Sequence, residues 1–227
     1  AITGETSLVG NSSIQSVELL DGATVIGTYF LALGSGTGHL TEVILPSSIK
    51  TIGEFAFLGR SELTSINLEG VKAVGEQAFM GCDKLANVDL SSIETIGLAA
   101  FAFTQSLKDA NLASAKEIGG SAFEGSGIET LMLSDIVSID SFAFAETNIK
   151  TVNIPASFDT YMYNQTFFQD NNAGENEQVL GKKALALAGG AFMNIDTLTA
   201  FTVEQGNKTF FAEDGVLYAK VNKDKNG

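Results

Sequence analysis

Apolar residues fall into two short blocks that return along the chain at an almost constant spacing. The first block has apolar residues at relative positions 1, 4 and 6. It reads LTEVIL from Leu40, LTSINL from Leu63, LANVDL from Leu85, LKDANL from Leu107, IETLML from Ile128 and IKTVNI from Ile149. Successive copies start 23, 22, 22, 21 and 21 residues apart. The second block reads KTIGEFAF to Phe57, KAVGEQAF to Phe79, ETIGLAAF to Phe101, KEIGGSAF to Phe123 and VSIDSFAF to Phe144. Degenerate copies flank the series: Ile14, Val17, Leu19, Ile26 and Gly27 upstream, and Leu187, Ala191, Phe192, Leu198, Phe201 and Val203 downstream. A period of this length marks a stack of coils, none of which can bury its apolar face alone.

Each coil reads as a short strand, a turn, a second extended pair and a tight return. In the strand, positions 4 and 6 face inward by two-residue alternation, and position 1 turns in at the corner. Pro46-Ser47-Ser48, Glu69-Gly70 and Ser91-Ser92 signal the following turn. Gly53, Gly75, Gly97 and Gly119 recur at one phase. That phase implies either a positive φ or close packing on the neighbouring coil. The Ala-Phe pair is expected on a short helical or 3₁₀ turn, because the few residues between Phe57 and Leu63 leave no room for a longer helix. Stacking then generates core columns: Val43, Ile66, Val88, Ala110, Leu131 and Val152; Leu45, Leu68, Leu90, Leu112, Leu133 and Ile154; Ile52, Val74, Ile96, Ile118 and Ile139; and the phenylalanines Phe57, Phe79, Phe101, Phe123 and Phe144.

The I-G-x-x-A-F block followed by L-x-x-V-x-L resembles the BspA-like class of leucine-rich repeats, over five consecutive coils from Ile49 to Ile154. The fold expected is α/β by class and β-rich overall: a right-handed leucine-rich-repeat solenoid of about seven or eight short parallel strands with short helical or 3₁₀ turns. The solenoid should occupy residues 1–206, with a degenerate coil and a polar insertion at 155–184. Residues 207–227 should form a C-terminal hairpin, turning at Glu213-Asp214-Gly215, that begins a continuation of a longer chain. The resemblance implies a bacterial, or protist, cell-surface or secreted protein with a role in adhesion or protein binding, and a family motif that carries no catalytic residue.

Composition narrows the function classes. The 227 residues are 44% hydrophobic, with 13 Lys and Arg against 27 Asp and Glu, a net charge of −14. Mean hydropathy is +0.18 and the pI is near 4.3. Such a chain is not disordered. It also lacks the basic footprint of a nucleic-acid binder or of a protein that docks on anionic membranes. No apolar run is long enough to span a bilayer. One cysteine and one histidine exclude an intrachain disulfide and leave almost no route to a Cys/His zinc site.

Candidate chemistry is sparse. His39 and Cys82 belong to coils two apart, which at strand spacing puts them about 10 Å from each other, too far for a dyad. A half-buried structural thiol and an exposed loop histidine are expected. Asp170, Asn172 and Gly174 imitate the start of a calcium loop, but Glu175 and Gly181 replace its essential glycine and bidentate glutamate. Gly189-Gly190 lacks the strand and helix of a phosphate loop, and Glu213 with Asp214 reads as a solvated turn. No enzyme activity, cofactor or metal is expected.

Positions 3 and 5 of the first block point away from the core. Position 3 reads Ser16, Glu42, Ser65, Asn87, Asp109, Thr130, Thr151 and Ala200. Position 5 reads Glu18, Ile44, Asn67, Asp89, Asn111, Met132, Asn153 and Thr202. This polar, acidic surface is taken as a concave face. It is either a solvated sheet or an extended surface for a protein or glycan partner, with Glu42, Asn67, Asn87, Asp89, Asp109, Asn111, Thr130, Met132, Thr151 and Asn153 as candidate contacts. Two functions follow: an adhesion module of a monomeric surface protein, acting through this face or its variable loops, and a structural spacer that presents another domain. Ordered exposed aromatics such as Tyr161 and Tyr163 in the insertion would favour the first.

Overall fold

The computed structural model describes residues 10–33, 38–158, 179–180, 190–208 and 210–219. Within them the chain winds as a parallel β-solenoid, and each coil contributes up to two strands. The first-series strands are Ser16–Glu18, Glu42–Ile44, Ser65–Ile66, Asp109–Leu112, Thr130–Leu133, Thr151–Ile154 and Ala200–Val203. The second series comprises Val25–Ile26, Thr51–Ile52, Ala73–Val74, Thr95–Ile96, Glu117–Ile118 and Ser138–Ile139. Strand pairs run in register: Val43 opposes Ile66, Ile52 opposes Val74, and Val152 opposes Phe201. The columns read from the sequence are therefore the columns of the core. All their members are buried except Val88 and Leu131, which pack against it partly buried.

Continuity differs between the two series. The second series forms one six-stranded parallel sheet. The first series is broken into three: Ser16–Glu18 with Glu42–Ile44 and Ser65–Ile66, extended by an isolated bridge from Ser65 to Asn87; Asp109–Leu112 with Thr130–Leu133; and Thr151–Ile154 with Ala200–Val203. The expected single sheet of seven or eight strands is thus replaced by a continuous sheet on one side and three fragments on the other.

The expected helical turns are also absent: the described residues contain no helix, and the α/β class gives way to an all-β coil. The Ala-Phe return is a run of tight turns in which left-handed residues recur four apart, as at Phe55 and Gly59 or Gln77 and Gly81. Phe55, Gln77, Ala99 and Ser121, two residues before each phenylalanine, have φ of 57°, 50°, 51° and 54°. Within each run every second N–H points sideways to the next coil. Phe55, Phe57 and Gly59 donate N–H groups to the Glu76, Ala78 and Met80 carbonyls of the next coil, each at 2.8 Å. Leu58 and Arg60 instead close locally onto Phe55 and Phe57. A 3₁₀ helix would direct all its N–H groups along its own axis and could not tie coils together in this way.

The recurring glycines serve the second of the two expected roles. Gly53, Gly75, Gly97 and Gly119 do not have positive φ, but a Cβ at any of them would lie 2.7–2.8 Å from backbone atoms of the preceding coil. Only a residue without a side chain permits that approach. Inside the ladder the phenylalanine rings stack face to face, 5.1–5.4 Å apart, from Phe57 through Phe144, and Phe192 extends the stack at 5.3 Å. In the first coil Leu31 takes the phenylalanine position, and Phe30 meets Phe57 edge-on.

At the C-terminal side, Phe210–Glu213 and Val216–Ala219 pair antiparallel around Asp214 and Gly215, both at positive φ, as a two-residue hairpin turn requires. Val179–Leu180 joins as a third strand. The hairpin packs on the last coil: Phe201 donates to the Gly215 carbonyl, Phe158 stacks on Phe210, and Leu217 is buried. Buried Asn207 fastens this region by donating to the Pro155 and Phe158 carbonyls. Leu187, Tyr161, Tyr163, the calcium-like positions Asp170, Asn172, Gly174, Glu175 and Gly181, and the terminal residues 220–227 lie outside the described residues.

Candidate binding face

The buried polar positions carry structure rather than chemistry. Three residues after each phenylalanine, Arg60, Cys82, Thr104, Ser126 and Thr147 form one inward column. Thr104 and Thr147 donate to the carbonyls of Phe101 and Phe144. Cys82 is fully buried, more deeply than expected, and its thiol points at the Phe57 carbonyl at 3.4 Å. Burial pushes the thiol's pKa far up, so no nucleophilic thiolate forms there. Arg60, the chain's only arginine, is 1% exposed; its Nε donates to the Leu31 carbonyl and its Nη1 to that of Asn11. The sequence signal for this column was present, since small polar residues recur at one phase, but Arg60 obscured it. His39 is exposed, as expected. Among the described residues no cluster of three or more metal-ligating side chains occurs, and no helix is long and apolar enough to cross a membrane.

The first-series strands bring the ten candidate residues together on one exposed face: Glu42, Asn67, Asn87, Asp89, Asp109, Asn111, Thr130, Met132, Thr151 and Asn153 all point outward. Several of them are already engaged. Asn67 brackets the neighbouring coil, accepting from the Leu45 N–H at 2.7 Å and donating to the Leu45 carbonyl at 2.8 Å, in place of a ladder. Asn153 accepts from the Thr202 hydroxyl and donates to Glu204. Asp89 and Asn111 accept from the N–H groups of Ser91 and Ala113 in their own coils. The Ser91 hydrogen bond also holds the Asp89 carboxyl below its ordinary pKa. Glu42, Asn87, Asp109, Thr130, Met132 and Thr151 keep their side chains toward solvent. A groove of about 540 Å³ runs across the first fragment, with Glu42, Ile44, Asn67, Glu69, Asn87 and Asp89 on its walls.

The coil, its 21–23 residue spacing and its glycine-phenylalanine ladder meet a known repeat pattern. The profile of the BspA type leucine rich repeat region matches this chain in six copies, over residues 3–129 and 113–213. The chain belongs to the BspA-type leucine-rich repeat family. Among solved structures, it resembles a leucine-rich cell surface protein of Faecalibacterium prausnitzii at a TM-score of 0.65 and 21% identity, over 92% of this chain and 52% of that one. The pneumococcal vaccine antigen PcpA is matched at a TM-score of 0.49 and 21% identity, over 92% of this chain and 45% of that one. At that identity the likeness to the Faecalibacterium prausnitzii protein is one of fold, and this BspA-type chain spans about half the length of both proteins. No curated protein matches it.

Proposed function

We propose that this chain is a non-catalytic interaction or adhesion module of a bacterial cell-surface or secreted protein. In this reading it binds a host or matrix protein, or a glycan, through the first-series face or its loops, as a monomer and with no cofactor. The observation that carries the proposal is the face itself, ten outward positions on successive coils, of which the stack's own hydrogen bonds explain Asn67, Asp89, Asn111 and Asn153 but not Glu42, Asn87, Asp109, Thr130, Met132 and Thr151. Membership of a repeat family, together with a structural neighbour described as a cell surface protein, supports the location. The test is an array of matrix proteins and glycans probed with the wild-type chain and with Asp89→Lys/Asp109→Lys. A partner bound by the wild type and weakened by the double variant, with thermal stability retained, supports the reading. Absence of any partner would favour a solenoid that only presents other domains.

A further inference from the structure

Charge on this molecule is segregated. Among the described residues, the ion pairs join Lys72 and Lys116 to Glu94, Lys84 to Glu62, and Lys108 and Lys150 to Glu129. Lys50, beside the turn that carries Glu69, directs its ammonium to the Ser47 and Gly70 carbonyls. These six lysines therefore lie along the flanks of the strands, occupied within the fold. The outward positions of the first-series strands hold Glu18, Glu42, Asp89 and Asp109 but no lysine or arginine. None of the ion pairs reaches Glu42, Glu69 or Asp89, the three carboxylates of the groove. Beside them Ile44 is 45% exposed on the same wall, an apolar side chain left in water at the centre of the fragment.

Resting on the interaction-module reading, we propose that this groove takes an extended, positively charged segment of a partner protein. Lys or Arg side chains would meet Glu42, Glu69 and Asp89, and an apolar side chain would cover Ile44. The argument is charge complementarity. Uncompensated carboxylates spread along a groove repel one another, and spaced cations relieve that repulsion at several points. A single metal ion does not fit, because these carboxylates do not converge into a ligand cluster. A neutral sugar would leave the charges unmatched, and the outward columns contain no aromatic ring for it to stack on. The groove crosses the strands around Glu42, Ser65 and Asn87. At about 4.8 Å per strand, an extended segment of three or four residues spans it.

The experiment uses fluorescence anisotropy with a short labelled peptide carrying lysine at alternate positions and isoleucine between some of them. Matched peptides carry glutamine or glutamate in place of lysine. The expected result is binding of the lysine peptide alone, weakened by salt. Glu42→Gln/Asp89→Asn, which preserves the Ser91 hydrogen bond, should weaken it about fivefold or more, and Glu54→Gln/Glu76→Gln on the opposite turns less than about twofold. Equal losses in the two pairs would show attraction to net charge and overturn the proposal, as would failure of the lysine peptide to bind. If an arrayed glycan or neutral peptide instead shifts the NMR amide resonances of Asn87 and Thr130, the face is a binding surface and its cationic specificity is refuted. If nothing shifts them, the groove proposal falls and with it the reading of this face as the binding surface.

Discussion

Two sides of one coil stack are tied together by different means. On the side of the second-series strands and Ala-Phe turns, the backbone itself joins every coil: six strands without interruption, then a ladder of turn N–H groups reaching across from Phe55, Phe57 and Gly59 onward. On the first-series side the ladder stops twice, and short crossings remain at the strand entrances, from Ser106 to the Asp83 carbonyl and from Asn148 to that of Ile128. Side chains act there instead. Asn67 reaches across to Leu45 inside an intact fragment, whereas Asp89 and Asn111, on the two sides of the first break, fold back onto their own coils. The repeat is equally regular in sequence on both sides. What differs is whether the backbone ladder continues from coil to coil, as it does even where Asp140 stands at the glycine phase, and the less tied side is the one that carries the exposed, variable face.

The largest expected effect comes from the shared interior. Phe101 lies at the centre of the ring stack, 5.1 Å from Phe79 and 5.4 Å from Phe123. Phe101→Ala should lose about 3–5 kcal/mol in chemical denaturation, because neighbours held by backbone ladders cannot collapse into the space. A loss below about 1 kcal/mol would mean the column is not packed as described. Next is a pair of opposite substitutions two residues apart. The Cβ of Gly97→Ala would sit 2.8 Å from the Glu76 nitrogen and the Gly75 carbonyl carbon, so the substitution should cost about 1–3 kcal/mol by forcing backbones apart. Ala99, at φ 51°, is the left-handed residue of the same turn. Ala99→Gly should therefore be neutral or stabilising by up to about 1 kcal/mol, relief of strain being offset by the greater freedom of the unfolded chain. Equal losses in both variants would place the glycine requirement at the wrong residue.

This contrast also shows what the sequence could disclose. Columns spaced by a fixed phase, the ring stack and the Asp214-Gly215 turn were all legible, because apolar periodicity and turn chemistry act locally. The glycine phase was legible as a constraint, and the structure decides between its two causes. Left-handed turns were not legible, since Phe55, Gln77, Ala99 and Ser121 share no residue type; the conformation is imposed by the sideways hydrogen bonds of the stack. The breaks in the first-series sheet were hidden for a related reason. They depend on whether an outward Asn or Asp bonds forward within its own coil or across to its neighbour, and the residue type permits both. Of the candidate face, the outward orientation of all ten residues followed from alternation, but the commitment of Asn67 and Asn153 to neighbouring coils did not.

A smaller test falls on the side-chain ties themselves. Asn67→Ala removes both hydrogen bonds to Leu45 at an exposed position, where water replaces them in part, and should cost about 1 kcal/mol. Asn111→Ala removes only a bond within its own coil. It should cost less in the same urea titration, and the reverse order would remove the distinction between bridging and folding back.

The smallest effect concerns Glu94 and Glu129, each of which links lysines of the coils before and after it. Glu94 lies beside the unbroken second-series sheet. Glu129 joins Lys150 across the second break. Hydrogen bonds and the charge of these lysines hold both carboxyls below the ordinary glutamate pKa. A lowered pKa in the folded state means the tie is present at neutral pH. It is lost as pH falls from about 4.3, the unfolded value, through the folded value. Both side chains are partly exposed, so the effect on global stability is slight and weakens with salt. Local opening is the more sensitive measurement. With intrinsic rates corrected for, hydrogen exchange at the Asn148 amide, whose bond to the Ile128 carbonyl crosses the break, should accelerate with acidification in the wild type. In Glu129→Gln it should already be fast at neutral pH and respond less. Glu94→Gln should leave exchange at Thr95 and Ile96 almost unchanged, because there the backbone ladder holds without the ion pair. Matching responses at the two sites would mean that the break does not weaken the stack.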